Sequence, residues 1–199
     1  MNNLSLFLLL PLFLVIYYIF KKTGFLNENI TYSIHKNFGA SNKSPLIIGG
    51  TYLIIIVLFF FANDLIILKL SLLLTYFLGL FSDKNILSSP KIRIIFQILI
   101  LFFLVFFSKL TIDNLENNFL NILLSNKIIN LFFTIFCFAI LVNGSNFLDG
   151  LNGLICGYYF IIILSLLILK DFYPDIIIDY NFLKILLYLL IIFLIFNLF

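Results

Sequence analysis

The stretch Ile92-Arg-Ile-Ile-Phe-Gln-Ile-Leu-Ile-Leu-Phe-Phe-Leu-Val-Phe-Phe107 decides which solvent this chain folds in. It holds one cation and one amide among apolar residues, and its length approaches the ~17–25 residues that carry a helix across a ~30 Å hydrocarbon core. Six further apolar blocks surround it: Leu4–Phe20, Pro45–Ala62, Leu65–Phe81, Ile128–Val142, Leu151–Leu169 and Leu183–Phe199. Hydrophobic residues make up 63% of 199 positions and charged residues 11%, too few charges for the polar shell of a soluble domain. The sequence therefore predicts an all-α, polytopic integral membrane bundle of about seven transmembrane helices in a single domain, residues 1–199.

The formal charge of +3 contains no basic run, so no nucleic-acid partner is expected. Cys137 and Cys156 lie in or at the start of apolar segments without a CxxC or a nearby histidine, as packing residues do. The first apolar run has no basic stretch before it and Lys21 and Lys22 after it, which suits a retained first helix rather than a cleaved signal.

Loop charge sets the orientation. The loops after the first, third and fifth segments carry Lys21, Lys22, Lys36, Lys43, Lys84, Lys91 and Arg93; the alternate loops carry Lys69, Lys109, Lys127, Lys170 and Lys184. The first loop holds four of the former set and usually dominates, so the N-terminus is expected outside and that set of loops in the cytoplasm. The same three loops hold the unusual sequences: Ile34–Gly50, Gly79–Arg93 and Asn143–Gly153. The opposite loops, Thr111–Asn118 and Lys170–Asn181, read as ordinary solvated connectors. Polar chemistry is thus expected on one face.

The third polar segment, Asn143-Gly-Ser-Asn-Phe-Leu-Asp-Gly-Leu-Asn-Gly153, is the most informative. Asn143, Asn146 and Asp149 recur every three residues, a spacing that makes them neighbours on a helix. Such groups are costly at membrane depth unless they face a cavity, a partner or a ligand. Helix capping explains one of them, but not four polar side chains in ten positions. In the second segment Asp83 lies near Lys84, Lys91 and Arg93, a combination that suits a divalent cation and phosphate oxygens, or equally an acid with snorkelling cations at helix ends. The first segment holds the only histidine, His35, and ends in Gly49-Gly50. There is no Gly-x-Ser-x-Gly elbow and no P-loop lysine motif.

The three segments, in this order, resemble the polyprenyl-phosphate N-acetylhexosamine-1-phosphate transferases, the family of the phospho-MurNAc-pentapeptide and GlcNAc-1-phosphate transferases. Asn143, Asn146, Asp149, Gly150, Asn152, Gly153 and Leu154 fit its Asn-x-x-Asn-x-x-Asp-Gly-x-Asp/Asn-Gly-Leu pattern. Gly79-Leu-Phe-Ser-Asp83, Ser89-Pro-Lys-Ile-Arg93 and Gln97 are similar to its acidic-pair loop and the helix that follows. The resemblance covers about residues 30 to 199 and implies a Mg²⁺-dependent transfer of sugar-1-phosphate from a UDP-sugar to a polyprenyl phosphate, with UMP released at the cytoplasmic face of a bacterial inner membrane. It places Asp83 and Asp149 near metal and nucleotide, and Asn143, Asn146, Asn152, Lys91 and Arg93 on substrate.

Three departures accompany it. The acidic pair is reduced to Ser82-Asp83, Asn152 replaces a second acid, and the chain stops before the family's Gly-Asp-x-Gly-Ser loop. The last departure leads us to expect a C-terminally truncated relative. A non-catalytic membrane relative is the competing expectation. A small transporter ranks below both, because the acids sit at helix ends rather than mid-membrane.

Overall fold

The computed structural model describes residues 9–24, 49–60, 65–84, 86–87, 89–112, 115–148, 154–173 and 180–198. Eight helices are described: α1 Leu9–Thr23, α2 Gly49–Phe60, α3 Ile66–Asp83, α4 Pro90–Ser108, α5 Asn118–Leu124, α6 Lys127–Leu148, α7 Leu154–Phe172 and α8 Tyr180–Leu198. The described residues contain no strand, in accord with the expected all-helical class. Three stretches, Ile66–Asp83, Pro90–Ser108 and Lys127–Ser145, are long and apolar enough to cross a membrane; Gly49–Phe59, Leu154–Lys170 and Tyr180–Ile195 are shorter apolar helices.

The chain divides into two compact units, Ile56–Gly144 and the pair Met1–Ile55 with Ser145–Phe199. In the first unit the sequence writes its own turns. α3 ends at Asp83, and the Phe81 carbonyl accepts the N–H groups of both Ile86 and Leu87, at 2.9 and 3.1 Å. Ser89 is extended and Pro90 opens α4, where a missing N–H costs nothing because the first helical turn has no partner for it. The chain thus reverses within a few residues, and α3 and α4 pack as a hairpin. At its far end α4 stops on Lys109, in the left-handed region at φ 52°, with its N–H returned to the Val105 carbonyl.

α4 is an inverted version of a soluble helix. Its outer face carries Ile95, Leu99, Phe102 and Phe106, all exposed, while its inner stripe of Gln97, Leu101, Leu104 and Val105 is buried. The exposed face suits lipid, so packing rather than water exclusion holds the inner one together. Leu101 and Val105 form a core with Ile135 of α6, against which Leu131, Phe138 and Ala139 pack.

The connector from α4 to α6 is exposed along most of its described residues, as expected, and is also held by side chains. Two asparagines fasten Thr111–Asn118. Asn121 accepts from the Leu115 N–H at 2.8 Å and donates to its carbonyl at 2.7 Å. Asn130, 4% exposed, accepts from the Ile112 N–H at 3.1 Å and donates to the carbonyls of Ile112 and Leu124, both at 3.0 Å. Thr134 adds a hydroxyl donated to Asn130 Oδ1 at 3.1 Å. Asn117 and Asn126 cap α5 and α6 by accepting N–H groups one turn on. These amides replace water as the partners of main chain near an apolar environment.

In the second unit α7 and α8 pair around Ile163, Leu167 and Leu183. Tyr52 of α2 is buried and donates its hydroxyl to the Leu9 carbonyl of α1 at 2.7 Å, with its ring edge-on to Phe13 at 5.0 Å. Gly49 at the start of α2 lies against the Phe193 ring of α8, where a Cβ would overlap the ring.

Candidate functional site

The direction of the helices gathers one end of the first unit. α3 runs toward the turn after Asp83, α4 runs away from it, and α6 begins beside Ile112 at the far end of α4. With Ile135 packed on Leu101 and Val105, α6 must return toward the end from which α4 started. The last turn of α3, the first turns of α4 and the approach of α6 to Gly144 therefore lie at one end. Within this unit the second polar segment and Asn143, the first residue of the third, thus share one end.

The segments themselves differ from the expected loops. Gly79–Asp83 is helical, Pro90 already belongs to α4, and α6 runs through Val142 to Leu148 instead of ending there. Gly144 does not break the helix, and Asn143 before it donates its Nδ2 to the Ala139 carbonyl at 2.8 Å. Asn143 is half-buried, and one of its donors serves its own helix. Asn146 follows three residues later on the same helix, as the three-residue spacing requires; its side chain is not described. Asp149 and Asn152 lie outside the described residues, as do His35 and Lys36.

At the hairpin Asp83 and Lys91 are exposed and Arg93 is half-buried. Arg93 Nη1 donates to Ser82 Oγ at 3.2 Å, which ties the start of α4 to the end of α3. Where the resemblance predicts the first acid of a pair, this chain therefore has a hydroxyl that accepts from a guanidinium. Arg93 Nε is buried and has no partner among the described residues. One turn further along α4, Gln97 is 6% exposed and its Nε2 is also without a partner there. The sequence quotes Gln97 only as part of a motif. An amide four residues after an arginine in an otherwise apolar helix was the signal that could have singled it out.

Residues 65–199 match the model of glycosyl transferase family 4. The chain belongs to that family. The match takes in α3 through α8, and with them both the Ser82-Asp83 hairpin and the Asn143–Gly153 segment of this family-4 chain. It begins later than the resemblance read from sequence, leaving Ile34–Gly50 outside. No curated protein and no solved structure matches the chain.

Magnesium sites in general need few protein ligands. Mg²⁺ is commonly held by one or two carboxylates together with substrate phosphates and water. Among the described residues no three His, Cys, Asp or Glu side chains assemble into a metal cluster. The exposed Asp83 carboxylate at a helix end fits the more open mode, in which phosphate supplies the remaining oxygens.

Proposed function

We propose that this family-4 chain transfers a sugar-1-phosphate, an N-acetylhexosamine-1-phosphate by default, from a UDP-sugar to a polyprenyl phosphate, releasing UMP. The observation that carries the reading is the family match across both polar segments; within one unit the end of α3, the start of α4 and Asn143 on α6 share one end. In the reaction a phosphate oxygen of the lipid carrier attacks the phosphorus attached to the sugar, and the bond to UMP breaks. Little covalent chemistry falls to the protein; charge and position do the catalysis.

In this reading Asp83 and Asp149 hold Mg²⁺, which when bound would neutralise the crowded phosphates. Arg93, kept in place by Ser82, and Lys91 meet phosphate oxygens, while Asn143, Asn146 and Asn152 orient phosphate or nucleoside. The bundle has seven spans with an external N-terminus, and the polar end faces the cytoplasm of a bacterial inner membrane. The carrier's tail lies against apolar helix faces such as that of Ile95, Leu99 and Phe102. A cell-envelope polysaccharide is the destination of the product.

The bond from Arg93 to Ser82 favours a second reading, a non-catalytic family relative, because it occupies the position of a missing acid. One assay separates them. Membranes carrying the full chain are incubated with labelled UDP-GlcNAc, undecaprenyl phosphate and Mg²⁺, and UMP is measured. The transferase reading expects UMP release that Asp149→Asn lowers by about 100-fold or more, as loss of transition-state charge stabilisation does. No release above that of empty membranes leaves the non-catalytic relative, and release unchanged by Asp149→Asn removes Asp149 from the site.

A further inference from the structure

Three features mark the start of α4. The helix opens without a side-chain cap, since Ser89 makes no capping bond and Pro90 has no N–H to offer. Arg93 spends Nη1 on Ser82 but leaves Nε buried and unbonded among the described residues. Gln97, 6% exposed, leaves Nε2 unbonded in the same way. Arg93 Nε and Gln97 Nε2 are both donors. A buried donor left unmade costs about 1–3 kcal/mol, so two on one stripe call for an acceptor that the described residues do not supply.

Helix geometry brings the donors toward each other. Arg93 and Gln97 are four residues apart, hence on one face and about 6 Å apart in height. Side chains on a helix lean toward its N-terminus, so the Gln97 amide leans toward Arg93 and the open end. The stripe continues through Leu101 and Val105 into the core with α6, which fixes it as the inner face of the bundle. Four residues beyond Ala139 of that core, Asn143 comes to a matching height on α6. The helix dipole adds positive potential at this end and favours an anion.

We propose that Gln97, together with Arg93, binds a phosphate oxyanion at the inner face of the α4 start. Gln97 is thereby a substrate-binding residue, one turn deeper than the residues the motif assigns. The identity of the oxyanion as the substrate's rests on the transferase reading. Both the diphosphate of the nucleotide sugar and the headgroup of the lipid carrier have this chemistry.

The test uses the full chain in nanodiscs of neutral lipid, with thermal stability read against inorganic pyrophosphate, UDP-GlcNAc, undecaprenyl phosphate and, as the phosphate-free control, uridine. Pyrophosphate stabilises the wild type, and Gln97→Met weakens that affinity about tenfold or more, the usual worth of a hydrogen bond to a charged group. Stability without ligand does not fall and the response to uridine stays at its wild-type value, which a merely structural role for Gln97 does not predict. Whichever of UDP-GlcNAc and undecaprenyl phosphate is weakened alongside pyrophosphate brings the oxyanion. If Gln97→Met does not fold, Gln97→Asn, which withdraws the amide by one methylene, gives the same reading. Wild-type affinity in the folded variant for all three phosphate-bearing probes overturns the proposal, as does a wild type blind to pyrophosphate. A wild type that binds pyrophosphate but neither substrate keeps the oxyanion site and refutes the transferase reading.

Discussion

Two buried amides in the same helical unit have opposite histories. Asn130 on α6 uses every valence: its oxygen accepts from Ile112 N–H and Thr134 Oγ1, and its nitrogen donates to the Ile112 and Leu124 carbonyls. Gln97 on α4 is nearly as buried, at 6% against 4%, but its nitrogen donates to nothing among the described residues. The first sits where a connector must be fastened at the far end of the unit, and the second near the end that gathers the polar motifs. An amide in lipid-adjacent protein is expensive in either place. Full satisfaction marks Asn130 as a fastening, and incomplete satisfaction marks Gln97 as a place prepared for something else.

The contrast can be broken by substitution. Asn130→Leu should have the largest effect, about 2–4 kcal/mol of lost stability, since it strands the Ile112 N–H and two carbonyls in an apolar setting. Unfolding of the purified chain in mixed micelles measures it, and a loss below half that range would make the fastening ornamental. Thr134→Val removes one donor while leaving the four-residue pairing geometry intact, and should cost about 1 kcal/mol in the same assay. Lys109→Gly relieves a left-handed residue at the same end and should raise stability by about 0.5–1 kcal/mol; no gain would mean that the lysine side chain offsets its own backbone. Gln97→Met should cost no stability at all, because exchanging an unpaired buried amide for an apolar chain of similar length removes a stranded donor. A loss as large as that of Asn130→Leu would show Gln97 to be a second fastening and abolish the contrast.

Much of this architecture is legible in the sequence, for a reason of scale. Each apolar block is long enough to announce itself, and each of the seven overlaps a described helix, three of them long and apolar enough to cross a membrane. Shorter signals mislead. Asn143-Gly-Ser reads as the end of a helix, but the asparagine bonds back to Ala139 and the helix continues to Leu148. Ser-Pro before Lys91 moves the start of α4 ahead of the apolar run, because proline is at home in a first turn. The seven-residue α5 escapes notice between a capping asparagine and a tied loop, although Asn130 and Thr134 at four-residue spacing in an apolar helix were a visible sign of buried polar pairing. Within the candidate site, residue types and spacing single out Asp83, Arg93 and Asn143, and the fold adds the Ser82 partner that no spacing rule encodes. Gln97 is the opposite case: visible as a letter, and meaningful only once its burial is known.

The bond from Tyr52 to Leu9 and the seat of Gly49 against Phe193 have a consequence in time. α1 and α2 are synthesised first, yet the ring that covers Gly49 belongs to α8, the last described helix. The earliest helices must therefore wait in the bilayer, with that surface unclaimed, until the end of the chain arrives. The second unit is thus completed last in the order of translation, and a ribosome stalled after α6 would leave α1 and α2 exposed to any other helix, or any quality-control protease, that reached them first.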